Sequence, residues 1–108
     1  MGTRADFYVG TGSQAEWLGS LAMDGYRIDE MEEGGKTPDY KACWEIKTAK
    51  TEVDYRTAVA ALLAINDDAT LPAHGWPWPW DNSNTTDYVY AFVDGECKTF
   101  TEERNGQI

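Results

Sequence analysis

The strongest pattern along the chain is a pair of alternating runs joined by Asp-Gly. In "TDYVYAFV", Tyr88, Tyr90 and Phe92 point one way and Val89, Ala91 and Val93 the other, so both faces are apolar. A strand of that kind belongs in the interior of a sheet. After Asp94-Gly95 comes "ECKTFTE", rich in β-branched and aromatic residues. Asp-Gly suits the type I′ turn, with positive φ at both central residues, so the two runs predict a β-hairpin. A different period governs "TEVDYRTAVAALLAIN", where Tyr55, Ala58, Val59, Leu62 and Leu63 recur at i, i+3, i+4, i+7 and i+8. That stripe predicts an amphipathic helix with its apolar side on the core, ending near Asn66. Thr51 is placed to cap it, and Asp54 stands at the capping-box position with an acid shorter than the usual Glu.

Other segments read less sharply. "ADFYVG" is a short strand closed by glycine, and "GTGS" is a loop. "QAEWLGSLAMDGY" fits two states: Trp17, Leu18 and Leu21 suit one side of a short helix, while Gly19 and Gly25 weaken it in favour of a second strand. "YKACWEIK" alternates like a strand, yet Thr37-Pro38 ahead of it resembles a helix start. It reads as an extended or short helical connector. Together the elements predict a single α+β domain over residues 1–108. Its expected form is a small antiparallel β-sheet of three to five strands packed against one main α-helix.

Composition narrows the function classes. At 108 residues with 42% apolar content, the chain can bury a core of its own. Nine Lys and Arg against nineteen Asp and Glu give a net charge of −10. That balance argues against direct nucleic-acid binding, which needs clustered cations to displace phosphate counterions. It favours a basic partner or plain solubility. The two cysteines, Cys43 and Cys97, lack metal-ligand spacing and read as reduced thiols. No pattern calls for a metal or cofactor, and no apolar run approaches a membrane span. The N-terminus lacks the charged and then apolar regions of a signal peptide, so the expected location is the cytoplasm.

Three of the five tryptophans, Trp76, Trp78 and Trp80, alternate with Pro77 and Pro79 in "GWPWPWDNSNTTDY". A residue before proline is pushed to extended conformations. In polyproline II, with about three residues per turn, alternate side chains point roughly 240° apart, so three rings cannot make one flat platform. The segment is expected chiefly to close a core and to leave some ring surface exposed. Asp81, Asn82 and the Ser and Thr residues after them offer short hydrogen-bonding side chains, or satisfy their own turns. A second candidate is the acidic loop with Asp29, Glu30, Glu32 and Glu33, which could meet a basic site or simply be solvated. His74, the single histidine, has no acid or nucleophile assigned to it. "GTGSQA" matches G-x-G-x-x-A after a strand, but the chain lacks the βαβ repeat of a dinucleotide fold, and a tight glycine turn is the better reading.

The segments "TRADFYVG", "AEWLGS", "DYRTAVAALLA" and "GWPWPWDNSNTTDYVYAFVDG" together resemble a family of small proteins encoded by phages and prophages of proteobacteria. The likeness spans most of the chain, least well in the acidic loop, and carries no biochemical activity or catalytic residue. What it implies is context: an accessory gene, of a kind that often encodes inhibitors of host functions or defence systems. The leading expectation is therefore a non-enzymatic protein that binds and inhibits a host protein with a basic surface. The acidic loop would supply steering, and Trp76, Trp78, Trp80, Asp81 and Asn82 the anchor. One alternative is a small-molecule binder that stacks a nucleotide-like ligand on the tryptophans. Another is a virion or assembly component, which predicts homo-oligomers. An enzyme comes last.

Overall fold

The computed structural model describes residues 3–10, 12–22, 28, 33–79 and 86–101. Strand β1 (Ala5–Val9) leads through a short 3-10 turn into β2 (Glu16–Leu21). Helices α1 (Pro38–Thr48) and α2 (Glu52–Ala64) follow, then the two-residue β3 (Ala69–Thr70), β4 (Tyr88–Val93) and β5 (Glu96–Thr101). The five strands form one sheet in the order β3-β2-β1-β4-β5. The helices lie across one face of it, so the α+β architecture is as the sequence predicts.

Two features differ from expectation. The sheet is mixed rather than antiparallel, because β4 pairs with β1 in parallel, Ala5 opposite Tyr88 through Val9 opposite Phe92. Parallel neighbours need a long crossover, and here the segment carrying both helices provides it. The second difference is α1, which makes two helices where one main helix was expected. Thr37 caps it by accepting from the Tyr40 amide at 3.2 Å, and Pro38 occupies the first turn, where its missing N–H costs nothing. Its core residues are Ala42, Cys43 and Ile46, a helical spacing. Tyr40 and Trp44, which complete the apparent alternation, are exposed and half-buried respectively.

The segment that read as either helix or strand is β2, and a bulge explains the ambiguity. Phe7 lies opposite Gly19 and Tyr8 opposite Trp17, leaving Leu18 as an extra residue. The bulge breaks the two-residue period. Leu18 and Leu21 therefore both pack with the helices, while Trp17 and Tyr8 pack on the other face. Apolar spacings of three imitate a helix in the sequence. At Gly19, φ is +148°, and a Cβ there would lie 2.5 Å from Leu63 Cδ1 and 2.9 Å from the Thr70 carbonyl oxygen. Only glycine lets α2 and β3 come so close.

The main core lies between sheet and helices, and all five expected residues of α2 are buried in it. Phe7 stacks on Tyr90 at 5.4 Å, and Tyr55 tilts against Phe92 at 5.3 Å. The Tyr55 hydroxyl donates to the Tyr90 carbonyl at 3.2 Å, and the Tyr90 hydroxyl accepts from the Ile28 amide at 3.1 Å. Asp94 and Gly95 hold φ of 55° and 80°, as a type I′ hairpin requires. Arg56 fastens the outside of α2 to β2 by a forked pair of contacts to Glu16 at 2.6 and 3.0 Å. The bonded guanidinium lowers the Glu16 carboxyl below its ordinary range.

Gly19→Ala is expected to cost about 2 kcal/mol or more of stability, combining overpacking with a strained backbone. Denaturant midpoints will show it, and an unchanged midpoint would mean that α2 does not pack this closely. Burial, with the Asp39 charge adding to it, pushes the Cys43 thiol up from 9.0 to about 12. Burial also holds the Tyr55 hydroxyl well above its usual value. The folded state thus retains protons that the unfolded chain releases, so stability should fall as pH rises from about 9 towards 12. In Cys43→Ala the alkaline slope should be shallower, measured by urea unfolding at a series of pH values.

Candidate functional site: the tryptophan face of the sheet

On the face away from the helices, β1 presents Asp6 and Tyr8, and β2 presents Ser20 and Trp17. Asp6 sits directly opposite Ser20 in the antiparallel register, and both are buried. An ionisable side chain with no exposure requires hydrogen bonds to offset its lost hydration. Asp6 Oδ1 accepts from the Ser20 hydroxyl at 2.5 Å and from Trp78 Nε1 at 2.8 Å. The Ser20 hydroxyl in turn accepts from Trp17 Nε1 at 2.9 Å. One indole N–H and one hydroxyl therefore converge on the Asp6 carboxyl, and the second indole N–H, from Trp17, supports the hydroxyl from behind. Bonds to an ionised acceptor are stronger than neutral ones.

The rings extend this network. Trp76 meets Trp17 edge-on, with centroids 5.0 Å apart and planes at 67°. The Arg4 guanidinium lies 5.5 Å from the centre of the Trp78 ring, within cation–π range. Arg4 is itself held by its main chain, with its amide donating to Asp87 and its carbonyl accepting from Tyr88. Trp17, Trp76 and Trp78 are all half-buried. Trp76 and Trp78 stand two residues apart and reach the same face, as an extended backbone before proline allows. Below them lies a small second core of Tyr8, Val89 and Ala91, packed by Ala15, Val93 and Phe100.

Of the residues expected to form the site, the structure brings Trp76 and Trp78 together. Glu33 is exposed in a turn outside the cluster. Trp80, Asp81, Asn82, Asp29, Glu30 and Glu32 lie outside the described residues. Sequence reading missed Asp6, Ser20, Trp17 and Arg4. The available signal was an acid in the middle of an otherwise apolar strand, "ADFYV", where solvent exposure is the exception.

Other sequence candidates resolve into structural roles. His74 Nδ1 accepts from the Leu71 amide at 3.2 Å and closes its own 3-10 turn, Pro72–His74. Gly10 and Gly12 sit at positive φ in the connection from β1 into the antiparallel β2, which holds a single 3-10 turn and no α-helix whose N-terminus could receive a dinucleotide. Cys43 and Cys97 are not joined in a disulfide. Among the described residues, no helix is long and apolar enough to cross a membrane. No group of three or more His, Cys, Asp or Glu among them is placed to hold a metal ion. The chemistry of the tryptophan face is that of a fixed aromatic surface: the carboxylate at its centre is committed to ordering the rings.

No family model, curated protein or solved structure matches this chain.

Trp78→Phe keeps one aromatic ring but removes the Nε1 donor together with the five-membered ring of the indole, and is expected to cost at least about 2 kcal/mol, the scale of a hydrogen bond to a buried charged group. Asp6→Ala should cost more, because Ser20 and Trp78 lose their acceptor together. If the pair interacts directly, the double variant will cost clearly less than the sum of the singles in urea unfolding. Strict additivity would show that Trp78 is not held by Asp6.

Proposed function

We propose that this chain is a non-enzymatic accessory protein of a phage or prophage that binds and inhibits a host protein bearing a basic surface. The observation that carries the reading is the pair of half-buried indoles, Trp76 and Trp78, held on one face by a buried network, in a chain of net charge −10. Tryptophan is a favoured anchor of protein interfaces, and a ring already fixed before binding loses little freedom when a partner covers it. The negative field would draw a positively charged partner and set its orientation, while the aromatic face supplies contact. The host cytoplasm is where such an encounter would take place. The phage context rests on the resemblance carried by "TRADFYVG" and "GWPWPW".

The experiment is affinity capture from a proteobacterial lysate at low and high salt, with wild-type protein and Trp76→Ala. Trp76 is chosen because its ring packs edge-on against Trp17, while the bond to the buried carboxyl group comes from Trp78. The expected result is one basic protein, retained at low salt, released as salt rises, and weakened at least about tenfold by Trp76→Ala. Neutralising Glu30, Glu32 and Glu33 should flatten the salt dependence. A capture indifferent to salt, or one that Trp76→Ala leaves untouched, would overturn the corresponding half of the proposal.

A further inference from the structure

Helix α2 is apolar on two sides. Its inner side, built on Tyr55, Ala58, Val59, Leu62 and Leu63, is buried in the core. Its outer side runs through Val53, Thr57, Ala60, Ala61 and Ala64, all exposed. At about 100° per residue these five fall within roughly one third of the circumference. Residues 57–66 carry no charge, in a chain where 26% of residues are charged. The outer face of a surface helix ordinarily carries polar and charged side chains, and beyond the start of α2, with its Glu52, Asp54 and Arg56, this one carries none that is charged. Val53 is 72% exposed, Ile65 at the helix end 46%, and Leu71 beside it 41%. These are three of the four large exposed hydrophobics among the described residues.

Two hollows flank this face. One, of about 190 Å³, is lined among the described residues by Leu18, Val59, Ala60, Leu63 and Leu71, with Arg56 the charged residue of that lining. It is below the roughly 300 Å³ at which small-molecule pockets begin, and suits one aliphatic side chain. The other, of about 300 Å³, lies between the end of α1 and the start of α2. Its polar side chains are Glu45, Asp54, Thr48 and Thr57. Both threonine hydroxyls already donate along their own helices, Thr48 to the Trp44 carbonyl and Thr57 to the Val53 carbonyl, each at 2.8 Å. What these four side chains have left to offer is acceptors, the complement of a Lys or Arg head group.

We propose that the outer face of α2 is a docking surface for a basic amphipathic segment of a partner protein. An aliphatic side chain of that segment enters the hollow beside Leu71, and a Lys or Arg reaches the cleft of Glu45 and Asp54. This inference rests on the reading of the chain as an acidic, partner-binding protein, and it gives that protein a second contact surface on the opposite side of the sheet from the tryptophans. Charge selects the occupant. Two copies of the chain, each at −10, repel one another, and an anionic lipid surface is repelled in the same way.

The test uses two synthetic peptides about four turns long, with leucines at helical spacing and either lysine or glutamate elsewhere. Binding to the whole 108-residue chain is read by fluorescence anisotropy. The lysine peptide should bind and the glutamate peptide should not. Ala60→Gln/Ala61→Gln, neutral changes to another good helix former at exposed positions, should weaken binding at least about tenfold with thermal melting unchanged. Glu45→Gln/Asp54→Asn should flatten its salt dependence, and Trp76→Ala should leave it intact. Binding that survives the glutamine changes but is lost in Trp76→Ala overturns this proposal and leaves the tryptophan reading standing. Peptide binding on α2 with no basic protein captured from lysate does the reverse. A wild-type dimer that the glutamine changes dissolve, or vesicle binding that they abolish, would assign the face to a second copy or to lipid and overturn the partner.

Discussion

Strand β1 is closed on all four sides, and the rest of the molecule is arranged around that fact. It is hydrogen-bonded to β2 along one edge and to β4 along the other. Ala5 and Phe7 face the helices, while Asp6 and Tyr8 face the tryptophan segment, all buried. Nothing polar in such a strand can turn to water, so each polar group must find its partner within the protein. The carboxylate of Asp6 is the most demanding of them. Its need for donors explains why Ser20 stands opposite it and why the indole of Trp78 comes back across the chain to reach it.

The tryptophan segment is thus structural first. Its rings seal a sheet face that the helices leave uncovered, and the buried carboxylate fixes one of them in place. The same fixation bears on the proposed function, because a ring held in advance is cheap to use in binding. Burial of this kind is also costly to perturb: removing a partner of Asp6 strands an acid in a place water does not reach. A variant that breaks the Asp6–Trp78 bond therefore risks disturbing the fold, and Trp76, whose ring packs edge-on against Trp17, is the probe that leaves that bond in place.

Helix α2 shows the opposite balance. Its position is fixed by the inner stripe, by the close approach at Gly19 and by the Arg56–Glu16 clasp. None of these uses its outer side, which is free to vary without harm to the fold. That this outer side is uncharged in so acidic a chain has no explanation within the domain, and the adjoining hollows complete a surface shaped for contact.

The sequence by itself determined α2, the β4–β5 hairpin and β1, because their signals are local. A helix stripe, a capping threonine and an Asp-Gly turn are each written within a few residues, and no distant partner is needed to read them. Tertiary structure decided the rest. The bulge at Leu18 gave β2 a spacing that imitates a helix, and only its pairing with β1 shows which it is. Helix α1 stayed open between an extended and a short helical connector because a chance alternation crossed its true buried set of Ala42, Cys43 and Ile46. The parallel pairing of β1 with β4 depends on where a long connection brings the chain back. Asp6 and Trp78 are 72 residues apart, and no local pattern joins them. Their bond exists because a buried charge must be satisfied by whatever donor the fold carries to it, which only the assembled sheet can specify.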